Sequence, residues 1–298
     1  MTFSILARLD PTGTERSLQQ PEDVDPELDR IFEIVEQRTR VDLHLYRVTS
    51  VARRVGARLR MVGCHDYPEY TDLLVRRPEE AERLLEFVTI KWSRFFRDQA
   101  VFDLLRDEVF PKLAARSNGR IAIWSAGCAR GEEAYSVALL ADSMAARKRA
   151  SEVAVYATDI DETALTTARA GIYPRAALDN VPSHLLDSYF VPQPGRFGPS
   201  FRLRKDLGVE VHFSQHDLLG DEGPLGAPFD LVLCRNVVIY FKSRAQGRVF
   251  DLLSSSLSSG GYLCLGEAEQ LPASYSSMFE IVDRKNRTYR KLQTGSAT

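Results

Sequence analysis

Residues 121–136 read IAIWSAGCARGEEAYS, and this stretch limits what the chain can fold into more than any other. Ile121, Ala122, Ile123 and Trp124 form a short apolar run bounded by Gly119 and Arg120, as expected of a buried strand. Small residues follow, from Ser125 to Ala129, and Gly131 closes the turn. Glu132 and Glu133 then fall where a helix begins, because acidic side chains are favoured beside the unpaired N–H groups of a first helical turn. Ala134, Val137, Ala138, Leu140 and Ala141 continue as an apolar helical face. Strand, glycine turn and helix in that order open a doubly wound α/β sheet. Gly127 and Gly131 are expected to let the backbone approach a bound ligand, although a glycine pair alone equally fits an ordinary tight turn.

A second apolar run, Val153 to Ala157, ends in Thr158-Asp159-Ile160-Asp161. An acid at the end of a second strand can accept hydrogen bonds from both hydroxyls of a ribose. The dinucleotide pattern GxGxxG is absent, and Asp159 lies 28 residues past Gly131 rather than about 20. The spacing disfavours a nicotinamide dinucleotide and leaves room for another adenosine ligand. Asp161 to Ala170 reads as a helix capped by Gly171. Phe201–Arg204 and Val209–Phe213 alternate as strands and suggest a small antiparallel insert at about 180–216. Phe229–Cys234 is a further buried strand, followed by Arg235-Asn236-Val237-Val238-Ile239-Tyr240-Phe241. A helix over Ala245–Leu257, a Gly260-Gly261 turn, a strand over Tyr262–Leu265 and a terminal hairpin (Phe279–Val282, Arg287–Lys291) complete the expected sheet.

Before this sheet the pattern is helical. Ile31, Ile34 and Val35 open one helix. Val48, Val51, Ala52, Val55, Leu59 and Val62 follow a 3.6 period along a second, from about Leu45 to Val62. Between Gln37 and Val62 stand seven arginines against one acid, Asp42. Arg53, Arg54, Arg58 and Arg60 flank the apolar stripe, either as a solvated surface or as a docking face for an acidic partner. Two shorter helices are expected at Tyr67–Val75 and Pro78–Val88. The aromatic pair Phe95-Phe96 reads as core packing in a linker that leaves Arg97 at its surface. With 298 residues and 44% hydrophobic content the chain can build a proper core. Its net charge of −2 gives no reason to expect nucleic acid. Cys64, Cys128, Cys234 and Cys264 form no CxxC pair, and His212 and His216 sit four apart on a strand, so neither disulfides nor a metal site is indicated. The N-terminal MTFSILARLD lacks a secretory apolar core, and no run approaches a membrane span, so a cytoplasmic setting is expected.

Four segments occur together here: WSAGCARGEEAYS, ATDID, FFRD and CRNVVIYF. With YRVTSVARRVGARLRMVG in the helical region, they make the chain similar to the CheR-type chemotaxis receptor methyltransferases from about residue 27 to 291. The resemblance implies a Rossmann-like S-adenosylmethionine (SAM) methyltransferase sheet, an N-terminal all-helical domain and a small antiparallel β insert. Its expected layout is a flexible tail (1–24), a helical domain (25–90), a linker and linking helix (91–118) and a methyltransferase domain (119–298). It also implies methyl transfer from SAM to receptor glutamates, with S-adenosylhomocysteine (SAH) as product.

Carried over residue by residue, Lys91, Ser93, Arg97, Gly127, Glu133, Asp159, Asp217, Leu218, Arg235 and Asn236 fall on or beside the family's cofactor-contacting positions. Asp159 would hold the ribose and Asp217-Leu218 the adenine edge. Arg97 would hold the substrate's or the cofactor's carboxylate, and Tyr240 would line the methyl pocket. Glu132 reads as a plain helix-start residue. Lys91 stands where the family usually has Asn, Ser93 where it has Thr, and Glu267 and Ala268 where it has His and Ser. The implied partner is the helical cytoplasmic region of chemoreceptors, with a receptor C-terminal tether at the insert as a second candidate. No contact with nucleic acid or insertion into membrane is implied. A nucleic-acid methyltransferase is disfavoured, because CRNVVIY stands where such enzymes carry a proline-rich turn. A non-catalytic docking protein on the same fold is the alternative.

Overall fold

The computed structural model describes residues 25–89, 93–116, 119–145, 152–195, 198–220 and 223–293. The expectations for residues 1–24 and for Lys91 fall outside them. The N-terminal domain consists of α1 (Pro26–Thr39), α2 (Val48–Met61), α3 (Tyr67–Arg76) and α4 (Glu79–Val88). Asp25 caps α1 by accepting the Glu27 N–H, and Asp66 caps α3 by accepting that of Glu69. Leu28, Ile31, Phe32 and Val35 bury one face of α1, and Val48, Val51, Val55 and Leu59 bury one face of α2. α2 starts at Val48 rather than at about Leu45. Residues 43–45 form a separate 3₁₀ turn whose Asp42 side chain accepts the His44 N–H.

The linking helix runs through α5 (Gln99–Leu104), a π turn over 105–109 and α6 (Phe110–Arg116). Then come β1 (Arg120–Ala126), α7 (Glu132–Ala145), β2 (Glu152–Asp159) and α8 (Glu162–Ala170). After β3 (Ile172–Pro174), α9 (Ser183–Tyr189), β4 (Phe190–Gln193) and β5 (Ser200–Leu203) the chain enters β6 (Glu210–Gln215). The last elements are β7 (Phe229–Cys234), α10 (Ser243–Ser256), β8 (Leu257–Leu265), β9 (Phe279–Asp283) and β10 (Thr288–Lys291). The large sheet has the order β6-β2-β1-β7-β8-β10-β9, parallel from β6 to β8 and antiparallel at β10 and β9. Strand order therefore reverses between β1 and β7, and a crevice forms there beyond the strand C-termini.

Three of these placements correct the sequence reading. The small antiparallel sheet has the order β3-β5-β4 and spans 172–203, not 180–216. β6 pairs parallel with β2, from Ala154 opposite Glu210 to Asp159 opposite Gln215. Its alternating pattern identifies a strand but not the sheet that strand joins. Gly260 and Gly261 lie inside β8 rather than in a turn before it. Gly260 has φ +73°, and the β7–β8 register shifts beside it, which is a bulge that glycine permits.

Successive residues of the central strands feed two apolar layers, as strand geometry requires. Ile121, Ile123, Leu231, Leu233 and Cys264 join one layer with Phe95, Phe96, Phe102 and α7. Trp124, Ala126, Val232, Cys234 and Leu263 join the other with α10 and the helical domain. The helical domain thus shares a core with one sheet face instead of hanging from a tether.

α2 also corrects the reading of its arginines. Arg58 is not a solvated docking residue. Its Nε and Nη2 donate to the two oxygens of Glu80 at 2.7 and 2.8 Å, and Tyr70 Oη donates to the same carboxylate at 2.9 Å. Glu80 is only 3% exposed. Burial pushes its carboxyl up, but the bonds from Arg58 and Tyr70 more than offset this and hold it below the ordinary value. Arg54 sends Nη1 to the Phe87 carbonyl at 2.9 Å. Only Arg53 and Arg60 of the four are exposed.

Arg58→Glu should therefore strip a buried carboxylate of its partner and lower unfolding free energy by about 3–5 kcal/mol in urea titrations. A loss under about 1 kcal/mol would show that the pair is effectively solvated. Because the folded pKa of Glu80 lies below the unfolded value, its contribution is present above the unfolded value of about 4.3 and is lost as pH falls through the folded one. Stability curves of wild type and Glu80→Gln should diverge above about pH 4 and converge below it.

Candidate functional site

A cleft with about 1110 Å³ of space, part of it open to solvent, lies where β1, β2, β6 and β7 end and the helical domain covers the sheet. Three of its walls belong to the sheet. The first is the turn after β1. Gly127 and Cys128 donate to the Thr158 carbonyl at 2.8 and 2.9 Å, and Ala129 N–H donates to Asp159 Oδ2 at 2.8 Å. Gly127 lines the cleft at φ +73°, and a Cβ there would approach Val237 within 2.5 Å. Gly131 does not line the cleft. Its missing Cβ leaves room for Ala168 and the Phe213 ring, so it serves packing between elements rather than ligand approach.

The second wall is the end of β2. Asp159 lines the cleft, and its other oxygen accepts the Asp161 N–H at 3.0 Å. Holding two backbone N–H groups fixes the carboxylate at the strand terminus. The third wall is the end of β6, where Asp217 and Leu218 line the cleft and Asp217 Oδ1 accepts the Leu219 N–H at 2.9 Å.

Across the cleft runs the linker. Ser93, Arg94 and Arg97 line it. Phe96 and Asp98, on either side of Arg97, both have positive φ, at 50° and 60°. Ala129 and Asn236, which line the cleft, share that geometry at 50° and 62°. Four of the six described non-glycine residues with positive φ thus sit in or beside this cleft. Such backbone costs energy and persists where surrounding structure holds it. Phe96 N–H donates to Ser136 Oγ at 2.9 Å, and Phe95 stacks edge-on against Tyr173 and Phe190 of the insert region.

Arg235 joins these walls. Its side chain is 1% exposed. Nη2 donates to Asp98 Oδ2 at 2.6 Å and to the Arg97 carbonyl at 3.0 Å, and Nη1 donates to Glu133 Oε2 at 3.3 Å. Its guanidinium also lies over the Phe102 ring at 5.7 Å. Glu133 accepts a second bond, from Ser125 Oγ at 2.8 Å. Burial raises the Glu133 carboxyl, opposed by Arg235 and Ser125. Glu132, read from sequence as a helix-start residue, is 3% exposed with an unpartnered Oε2, and burial pushes its carboxyl up. Among the described residues, the group able to hold a metal is Glu36, Asp42 and His44, and none of these lines the cleft.

Glu269 was invisible in the sequence. Its Oε1 accepts the N–H groups of Val237, Val238 and Ile239 at 2.8, 2.7 and 3.4 Å. Its Oε2 accepts those of Asn236 and Gly266 at 2.9 and 2.7 Å. One buried carboxylate therefore shapes the whole turn that presents Asn236 and Tyr240. Tyr46, Ser50, Val88 and Thr89 of the helical domain also line the cleft without having been singled out. Of the expected site residues, Ser93, Arg97, Gly127, Glu133, Asp159, Asp217, Leu218, Arg235, Asn236, Tyr240 and Arg54 come together there, whereas Arg53, Arg58 and Arg60 do not.

The residues present fit SAM chemically. Gly127 lines the cleft, and its missing Cβ makes room for Val237 of the facing turn. Glu133, Asp159 and Asp217 supply acceptors for hydroxyl and amino groups and favour a cationic ligand. Arg54, Arg94 and Arg97 line the cleft, and guanidinium groups suit carboxylates. Glu269→Ala should leave several donors of the turn unpaired. At about 1.5–3 kcal/mol per bond to a charged group, we expect at least that loss in unfolding free energy, with Glu269→Gln recovering part of it. Equal stability of wild type and Glu269→Ala in urea titration would show that the turn holds its shape unaided.

The C-terminal part, residues 91–288, matches the family described as CheR methyltransferase, SAM binding domain, and residues 26–89 match the CheR methyltransferase all-alpha domain. The chain is 33% identical to a chemotaxis protein methyltransferase of Klebsiella aerogenes, over 90% of this chain and 91% of that one. It is 32% identical to one of Escherichia coli K12, over 80% of this chain and 82% of that one. It is also 31% identical to an uncharacterized 104.1 kDa protein of Rhodobacter capsulatus, over 91% of this chain but only 28% of that protein. Among solved structures, a SAM-dependent methyltransferase of Methanosarcina mazei aligns with TM-score 0.31 and 15% identity, covering 61% of this chain and 77% of that one, and adds nothing to the assignment. By these matches over both domains, the chain belongs to the CheR methyltransferase family.

Proposed function

We propose that this protein methylates glutamate side chains of chemotaxis receptors, with SAM as methyl donor and a methyl ester as product. One observation carries the reading: three carboxylates, Asp159 and Asp217 beyond strand ends and Glu133 at the start of α7, line the same cleft as Arg97 and Tyr240. When bound, SAM supplies an electrophilic methyl group on a positively charged sulfur. A glutamate is already a carboxylate at neutral pH, with a pKa of about 4.3, so the chain needs no strong general base. Its work is to orient the carboxylate, exclude water and hold the cofactor.

Asp159 accepts the ribose hydroxyls, and the Asp217-Leu218 segment borders the adenine. Arg97, held between two left-handed residues, receives a carboxylate through its planar fork. Tyr240 borders the methyl path. Arg235 acts through Asp98, the Arg97 carbonyl and Glu133, and is therefore a positioning residue. The exposed Arg53 and Arg60 remain docking residues for an acidic helical receptor surface, and the small sheet is the candidate seat of a receptor tether. The alternative of a non-catalytic docking protein gains no support from a cleft lined by Arg97, Glu133, Asp159, Asp217 and Tyr240 together.

Chemoreceptor-bearing membranes incubated with methyl-tritiated SAM and this protein should gain label that alkali releases as methanol. Alkali-stable label would indicate methylation of nitrogen, and no label at all would favour the docking alternative. Asp159→Asn keeps the size of the side chain and removes its charge. It should weaken SAM binding about tenfold or more by calorimetry, because a charge-assisted bond is worth roughly 1.5–3 kcal/mol. Wild-type affinity in the folded variant would remove Asp159 from the ribose site.

A further inference from the structure

The cleft has a wall that none of the family's cofactor positions describes. Just before α2, the helical domain is stitched to the Tyr240 segment by backbone hydrogen bonds. Arg47 N–H donates to the Tyr240 carbonyl at 2.9 Å, and Lys242 N–H donates to the Leu45 carbonyl at 2.9 Å. Tyr46 sits between them in an antiparallel bridge with Phe241, and the two rings pack edge-on at 4.9 Å. This arrangement fixes the Tyr46 ring in the cleft wall. The residue is 9% exposed, and its hydroxyl has no hydrogen-bond partner among the described residues. Burial, together with the negative charges of Asp217, Asp159 and Asp42, holds the phenol well above its usual range, so it stays a protonated donor. A fixed donor in the cleft wall, with no partner among the described residues, stands beside the two acids at the ends of β2 and β6.

We infer that Tyr46 is a cofactor-positioning residue, donating its phenolic hydrogen bond to the adenosine moiety of SAM from the helical domain. The inference rests on the reading of Asp159 and Asp217 as the adenosine side of the cleft. The two carboxylates can only accept, so they suit hydroxyl and amino hydrogens. The ribose oxygens and the adenine ring nitrogens need a donor, and Tyr46 supplies one. Because the donor is carried by the helical domain, cofactor binding fastens that domain to the sheet. The domain that is proposed to meet the receptor is then also part of the cofactor site.

Tyr46→Phe tests this with the ring, and hence its packing on Phe241, retained. Since the hydroxyl has no partner among the described residues, the variant should unfold at or above the wild-type temperature. Calorimetry should nevertheless show SAM, SAH and 5′-methylthioadenosine each binding about tenfold more weakly, the last because it keeps the adenosine and lacks the amino acid. In methylation assays KM for SAM should rise while kcat at saturating SAM stays near wild type, the pattern of lost uniform binding. Unchanged affinities would overturn the proposal. So would a loss confined to SAM and SAH, which would place the hydroxyl at the amino-acid end. If wild type itself bound none of the three ligands, the adenosine reading beneath the proposal would fail instead, and the two failures are distinguishable.

Discussion

The guanidinium of Arg235 is the point on which the site's geometry depends. It lies at the end of β7, nearly removed from water, and holds Asp98, the Arg97 carbonyl and Glu133 at once. A buried cation of this kind is tolerable only when its partners are close and charged. Those partners come from the linker and from the start of α7, and Arg235 itself follows β7. Their convergence therefore fixes three chain segments that are far apart in sequence. The left-handed backbone at Phe96 and Asp98 follows from the same constraint, because Arg235 binds the Arg97 carbonyl between them. Strained backbone of this sort is sustained by such surroundings and in turn aims Arg97 into the cleft.

A second buried charge shapes the opposite side. Glu269 gathers the N–H groups of Asn236, Val237, Val238, Ile239 and Gly266, which would otherwise point inward without partners. The turn so formed carries Tyr240, and its carbonyl in turn accepts Arg47 N–H from the helical domain. The helical domain is thus a structural wall of the cleft, reinforced by a shared apolar core on one sheet face. Backbone bonds and a shared core thus tie the helical domain directly to the walls of the cleft.

Much of this was readable from sequence where a local pattern has one physical meaning. The apolar run Ile121–Trp124 with Gly127 and the acids behind it could only be strand, turn and helix, and Asp159 at the end of Val153–Ala157 could only be a strand terminus. Reading failed where meaning depends on a distant partner. Val209–Phe213 alternates like a strand of either sheet, and only pairing with β2 decides which. Arg58 looks like Arg54, one turn before it on the helical wheel, yet Glu80, 22 residues on, claims it. Glu269 leaves no trace because its five partners are backbone groups, which carry no sequence signal. Positive φ at Phe96, Asp98 and Asn236 is equally silent, since no glycine marks it.

A crystal structure of the protein with SAH tests the central claim most directly, namely that Arg235 organises the cleft without touching the cofactor. The account expects SAH in the cleft, its ribose hydroxyls on Asp159, and Arg235 still bonded to Glu133 and Asp98. Arg235 turned from Glu133 onto the ligand's carboxylate, or SAH bound outside the cleft, would contradict it.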